Sequence, residues 1–104
     1  MRIVVITRPK FPVPPDQLPP LMQAFAAWRE RYRPMMETFE FFAGGGGGFG
    51  VVNAPDEATL NQIMLEYPFT AFSDNEIRPV LDGDKALAQW QAALQALAGK
   101  SATG

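Results

Sequence analysis

Across 104 residues the chain carries neither cysteine nor histidine. Thiol nucleophiles, disulfides, iron–sulfur ligation, the common catalytic triads and most zinc or haem sites therefore fall away. The chemistry left belongs to carboxylates, Tyr, Lys, Arg, hydroxyls, backbone amides or a bound cofactor. Among these, Glu40 is the first candidate for proton transfer. It sits in the run Thr38-Phe39-Glu40-Phe41-Phe42-Ala43, where a strand period of two sends Phe39 and Phe41 to one face and Thr38, Glu40 and Phe42 to the other. A second run, Glu76 to Leu81, turns Ile77 and Leu81 inward and leaves Glu76, Arg78 and Val80 on that same outer face. Arg2 and Arg8 share the parity of Val4 and Ile6. A carboxylate desolvated on such a face has its pKa raised and becomes an acid or base near neutrality. Arg8 or Arg78 can hold a substrate carboxylate through paired hydrogen bonds. The competing reading of Glu40, Glu76, Arg2 and Arg78 is interfacial salt bridges or solvated surface charge.

Five consecutive glycines, Gly44 to Gly48, separate the first of these runs from Phe49-Gly50-Val51-Val52-Asn53. Ordered glycine costs roughly 0.5–1 kcal/mol relative to alanine, so such a run implies a compensating need. Three needs fit: a hairpin requiring positive φ, a backbone that another group must approach closely, or a mobile flap over a pocket. Formally, Gly45-Gly46-Gly47-Gly48-Phe49-Gly50 satisfies G-x-G-x-x-G, but a dinucleotide site needs that pattern to open a helix. Here it leaves one strand and enters another. A flexible or bulged hairpin, or a glycine wall beside a ligand cavity, is the expectation. Gly46, Gly47 and Phe49 are candidates to line that wall, together with Phe42.

These residues need elements to hold them. Arg2 to Thr7 is a β-branched strand closed by Pro9. Leu18, Leu21, Met22, Phe25, Trp28 and Tyr32 recur at helical spacing, placing a helix from about Asp16 or Pro19 to Arg33, with Pro19 and Pro20 tolerable only in its first turn. Thr38–Ala43 and Phe49–Asn53 make the hairpin. Pro55, Asp56 and Glu57 open a second helix, whose apolar face is Leu60, Ile63, Met64 and Tyr67 and which Pro68 stops. Glu76–Leu81 is a fourth strand, demoted to an edge or a short strand by Pro79. Asp82-Gly83-Asp84 starts a last helix with the seam Leu87, Trp90, Leu94 and Leu97, which packs on the body or on a partner subunit. Tyr32 and Tyr67 end helical faces, as core residues with a hydroxyl at the rim. Met35-Met36 fills core gaps or forms an adaptable wall.

The order βαββαβ with right-handed crossovers gives an α+β fold, a ferredoxin-like antiparallel sheet with helices on one face and an added carboxy-terminal helix. Residues 1–98 form a single domain and 99–104 a flexible tail. The uncovered sheet face, carrying Val4, Ile6 and Phe42, should dimerise face to face or enclose a pocket.

Composition narrows the partners. Apolar residues make up 47% of the chain and the net charge is −2. Nine Lys and Arg are scattered rather than patched, against the basic footprint that nucleic acid requires. No apolar stretch approaches the ~20 residues of a membrane span, and the amino-terminal run is too short for a signal peptide. A cytoplasmic protein binding neither nucleic acid nor membrane is expected. Asp82 and Asp84 flank Gly83 too simply for calcium, and no carboxylates show metal spacing.

The stretch from Val51-Val52-Asn53-Ala54-Pro55-Asp56-Glu57-Ala58-Thr59-Leu60 through Met64-Leu65-Glu66-Tyr67-Pro68-Phe69 to Phe72-Ser73-Asp74-Asn75-Glu76-Ile77 resembles the muconolactone isomerase family. A strand, a proline-started helix, a Pro stop and an aromatic-Asp-x-Glu strand follow in the same order. The resemblance covers the second half of the chain without gaps, and the first half in element order. It implies the dimeric α+β barrel superfamily, homodimers of ferredoxin-like subunits with their open faces together. It also implies a small isomerase or cyclase that uses no cofactor, moving a proton on a lactone or on an aromatic or polyketide-like acid. The other reading is a non-catalytic dimer that binds a small molecule or a protein partner. Asp74, at the family's aromatic-Asp-x-Glu position, either caps a turn or lines the site. The candidate catalytic residues are thus Glu40, Asp74 and Tyr67, with Arg8, Arg78, Phe42, Gly46, Gly47 and Phe49 binding substrate. The departure from the family is the glycine hairpin, where the resemblance implies polar and bulky side chains.

Overall fold

A computed structural model describes the backbone of residues 1–103 and the side chains of residues 1–99. Its elements run β1 (Arg2–Pro9), α1 (Leu18–Tyr32), β2 (Met36–Phe41), β3 (Gly48–Asn53), α2 (Glu57–Leu65), β4 (Ser73–Pro79) and α3 (Gly83–Thr103), with short 3-10 turns at Arg33–Met35 and Thr70–Phe72. The four strands form one antiparallel sheet in the order β2-β3-β1-β4. This is the expected α+β ferredoxin-like arrangement, with β1 central and Pro79 confined to the edge strand β4, where its missing amide costs no ladder bond.

The local rules place the helices. Pro19 and Pro20 lie in the first turn of α1, and Arg29 and Arg31 in its last. Asp56 caps α2 by accepting from the Thr59 amide at 2.7 Å, so one of the helix's unpaired donors is satisfied. The indole N–H of Trp28 on α1 donates to the Ile63 carbonyl of α2 at 2.9 Å. The Tyr32 hydroxyl donates to Glu66, which also pairs with Arg31 at 3.0 Å. These cross-links clamp the two helices together. Ile3, Val5, Tyr32, Val52, Ala54 and Ile63 are the buried core beneath them.

Boundaries shift where pairing outweighs propensity. β2 begins two residues earlier than its alternation suggests and ends at Phe41, because the Phe42 amide turns to donate to the Gly47 carbonyl at 2.9 Å. A bulge between Met36 and Thr38 absorbs Glu37. β4 starts at Ser73 rather than Glu76, since Ser73, Asp74 and Asn75 pair with Pro9, Arg8 and Thr7. α3 continues to Thr103, past the expected domain end at Ala98.

Strand register fixes both faces of the sheet. One row across it reads Phe39, Gly50, Val5, Ile77, and the next on the same face Phe41, Gly48, Thr7, Asn75. These residues face the helices, since Phe39 and Phe41 both pack on Phe25 of α1. The opposite face carries Glu40, Phe49, Ile6 and Glu76 in one row and Thr38, Val51, Val4 and Arg78 in another.

Candidate functional site

On the helix-covered face, two of the three β3 positions, Gly48 and Gly50, have no side chain, and only Val52 fills its place. Phe39 and Phe41 of β2 stand on one side of this gap, and Val5 and Thr7 of β1 on the other. The result is a cavity of about 90 Å³ between sheet and helices, partly open to solvent. Its roof is Phe25 and Trp28 of α1, Ile63 and Met64 of α2, and Tyr67 just beyond α2.

The walls are largely aromatic. Phe25 is the hub, with ring centroids 5.7 Å from Phe39, 5.8 Å from Trp28 and 5.8 Å from Phe69. Trp28 lies 5.1 Å from Tyr67. Such offset and edge contacts are worth about 0.5–1.5 kcal/mol each beyond area burial, so the walls are held in place. The Arg29 guanidinium covers Phe39 at 4.5 Å and closes the outer side of that wall.

One polar corner interrupts the apolar lining. The Tyr67 hydroxyl lies beside the hydroxyls of Thr7 and Ser73. Thr7 in turn donates to the Asn75 side-chain oxygen at 3.0 Å. Burial pushes the Tyr67 phenol above its ordinary pKa, and the neighbouring hydroxyls offset only part of that. Tyr67 is therefore a neutral hydrogen-bond donor across the physiological range. A neutral donor in a dry apolar site suits a carbonyl or phenolic oxygen rather than a cation.

The glycines divide into two groups. Gly44, Gly45, Gly46 and Gly47 all have φ between +85 and +96, which a side chain adopts only with strain. Around Gly44 to Gly46 there is open space. At Gly47 a Cβ would stand 1.9 Å from the Thr7 carbonyl oxygen, and at Gly48 2.3 Å from that of Glu40. Positive φ and close backbone approach, two of the three needs expected of the run, are both present.

The sequence-derived candidates separate across the sheet. Tyr67 and Gly47 line the cavity, while Glu40 and Phe49 border it from β2 and β3 with their side chains on the other face. Strand alternation turns the Glu40 side chain to the opposite, open face, where it is exposed. Arg8 and Arg78 lie on that open face too, both bound to Glu76, at 3.2 and 2.8 Å. Those hydrogen bonds, Arg78 first and then Arg8, hold the Glu76 carboxyl below its usual range. Asp74 pairs with Lys10 at 3.5 Å in solvent. Phe42 packs on Phe49 with centroids 6.0 Å apart, and Gly46 sits at the hairpin tip with nothing around it. The sheet thus brings Tyr67 and Gly47 to one cavity and puts Glu40, Arg8 and Arg78 behind it.

Sequence reasoning missed Gly48 and Gly50 as the cavity floor and Phe25, Trp28 and Thr7 as its lining. The signal was available. Applying the period of two to β3, as to β2, leaves its helix-facing side bare. Among the described residues, no group of three His, Cys, Asp or Glu could hold a metal, and no helix is long and apolar enough to cross a membrane.

A family model described as "Domain of unknown function (DUF3303)" matches residues 4–94. Among solved structures the chain is similar to muconolactone isomerase, with a TM-score of 0.70 and 19% identity over 79% of this chain and 90% of that one. It is also similar to 5-chloro-2-hydroxyhydroquinone dehydrochlorinase from Burkholderia phenoliruptrix AC1100 in complex with 2,5-dihydroxybenzoquinone. That match has a TM-score of 0.60 and 16% identity, over 82% of this chain and 98% of that one. At such identities the likeness concerns the fold, which is that of the muconolactone isomerase group resembled by the second half of the sequence. No curated protein matches the chain in sequence.

Proposed function

The chain belongs to the DUF3303 family, and from that premise we propose that it is a small cofactor-free isomerase-like protein acting on a compact, planar molecule. The observation that carries this reading is the aromatic cavity over the Gly48 and Gly50 floor, with one neutral phenol at its polar corner. Its volume of about 90 Å³ is somewhat below the ~150 Å³ of an engineered apolar cavity that takes benzene. One ring therefore fits only when the open side widens, and a fused-ring system does not. A lactone or a single-ring aromatic acid satisfies both size and polarity. Tyr67 donates to the carbonyl oxygen of a ring held in the cavity. Glu40 stands on the opposite face of the sheet and does not reach that ring; as the proposed proton acceptor it acts on the open face, with Arg8 or Arg78 the proposed partner of a substrate carboxylate. Two copies pairing through their open faces would bring those groups into an enclosed space.

A second reading, binding without turnover, is favoured by one specific observation: the cavity lining presents no ionised side chain, because Glu40 points to the other face. One experiment separates the two. Binding of small lactones and hydroxylated benzoic acids is measured by native mass spectrometry, and their conversion by NMR, for the wild type, Glu40→Gln and Tyr67→Phe. Both readings expect Tyr67→Phe to lose up to roughly tenfold in affinity, one hydrogen bond's worth. The isomerase reading expects Glu40→Gln to bind normally and lose turnover. Turnover unchanged in Glu40→Gln removes Glu40 from the mechanism, and binding without turnover in the wild type selects the second reading.

A further inference from the structure

The last helix leaves the body of the molecule. α3 is 21 residues long, about 31 Å at the helical rise, and makes no extended contact with any other element. The molecule is accordingly 70 Å long, with a radius of gyration of 19.2 Å against about 13 Å for a compact chain of this size. Its seam of Leu87, Trp90, Leu94 and Leu97 is bare, with Trp90 72% exposed. Such a seam in water implies a surface that covers it.

The direction of the helix is held. Only three residues join β4 to α3. Val80 is tied to β1, its amide donating to the Arg2 carbonyl at 2.9 Å. Asp82 is already the helix cap, its carboxylate accepting from the amides of Asp84 and Lys85 at 3.1 and 3.2 Å. Leu81 alone is left to turn the chain, so α3 is aimed away from its own body. Short hinges of this kind favour exchange of the element between copies over folding back.

The same chain leaves a surface of matching chemistry open. Beside β4, on the helix-covered side, a groove of about 330 Å³ is lined by Met1, Ile3, Leu60, Met64, Ile77 and Pro79, with Glu57 and Asn61 as its polar residues. α2 forms one wall of this groove without closing it, and Ile77 is 42% exposed there. Each chain therefore has one apolar helix with no groove and one apolar groove with no helix. Reciprocal exchange across a two-fold axis satisfies both and leaves no open end. Two seams of about 16 Å length and ~10 Å width remove on the order of 650 Å² from water, a small interface that adds to any pairing of the open faces.

The geometry points to α3 as an exchanged arm whose Leu87–Leu97 seam docks in the Met1–Leu60–Ile77 groove of a second copy of this chain. This interface is separate from any pairing of the open sheet faces and does not depend on the proposed reaction. Because the chain has no cysteine, single cysteines report on it directly. Full-length chains carrying Asn61→Cys and mass-labelled chains carrying Ala93→Cys are co-expressed and treated with a short bis-maleimide. The expected product is a covalent pair containing one chain of each mass. Adding Trp90→Glu to the Ala93→Cys chain reduces that product at least tenfold with the far-UV circular dichroism unchanged, as befits an exposed residue. A chain carrying both cysteines that yields only intrachain links at every dilution overturns the proposal, because the arm then folds back on its own groove. So does the absence of the mixed product, or its survival with Trp90→Glu.

Discussion

The two faces of one sheet have been built by different rules. On the helix-covered face, large rings surround missing side chains, and Tyr67, the titratable side chain that faces the space, is a neutral phenol whose pKa burial raises further. On the open face the same strands present Arg2 with Glu37, and Arg8 and Arg78 with Glu76, in ion pairs that remain solvated. A pleated strand makes this contrast unavoidable, because each step along it changes the face. The covered face gains from removing side chains where others enclose the gap, whereas the open face has water to support its charges. A small-molecule site belongs on the first, and an assembly surface or a substrate-carboxylate clamp on the second.

Substituting the glycines gives the largest expected break. Gly47→Val combines a φ of +96 with a Cβ driven into the Thr7 carbonyl. We expect about 3–5 kcal/mol of destabilisation, or no folded protein, from strain and overpacking together. Gly45→Ala, with positive φ but open space, should cost only about 1–2 kcal/mol. Comparing the two by chemical denaturation separates the conformational need from the steric one, and equal losses would erase the division within the run.

Next comes the aromatic hub. Phe25→Ala removes the ring that touches Trp28, Phe39, Phe41, Tyr67 and Phe69. Since Phe25 is only half-buried, the loss should fall near 2–3 kcal/mol, below the range for a fully buried Phe. A thermal melt shifted by less than a few degrees would mean that the cavity walls do not depend on it.

Filling the floor tests the cavity more gently. A Cβ at Gly50 meets only the Thr38 carbonyl, at 3.1 Å, so Gly50→Val should cost about 1 kcal/mol through slight strand adjustment while abolishing binding of any ring-sized ligand. Retained affinity would place the ligand elsewhere.

The smallest effects concern charge. The Tyr67 phenol is raised, so its stabilising contribution is complete below the ordinary tyrosine value and is lost as pH rises through its own higher value. Ultraviolet titration should accordingly find a tyrosine ionising later than about pH 10. The Glu76 carboxyl is lowered by Arg78 and Arg8, so the sign reverses. Its contribution is present above the ordinary glutamate value and is lost as pH falls through its depressed one. Glu76→Gln should lower the melting temperature slightly at pH 7 in low salt, and by progressively less as the pH falls below the ordinary glutamate range. A large loss at pH 7 would show that the open face is buried in an assembly.

Much of this contrast was legible along the chain. The alternation in Thr38–Phe42 and in Arg2–Arg8 assigned Phe39 and Phe41 to the helices and Glu40, Val4 and Ile6 to the other side, and the register agrees. The reading went less far at β3, where Gly48 and Gly50 carry no hydrophobic signal and so drew attention as turn residues rather than as a vacant face. For Glu40 and Tyr67 the sequence proposed one site, and the fold sets their side chains on opposite sides of the sheet.

Periodicity, proline positions and capping residues act within a few residues of themselves, and they already specify the order of elements, the edge position of Pro79 and the α2 cap at Asp56. The positive φ values of the glycine hairpin were similarly implicit in its composition. Whether a missing side chain leaves a cavity depends instead on what arrives from elsewhere: Phe25 and Trp28 from α1, Met64 and Tyr67 from α2 and its exit. Whether an apolar helix lies on its own body depends on a three-residue joint whose freedom is consumed by bonds to Arg2 and by the helix cap. Enclosure and direction are properties of packing between distant segments, and no local spacing encodes them.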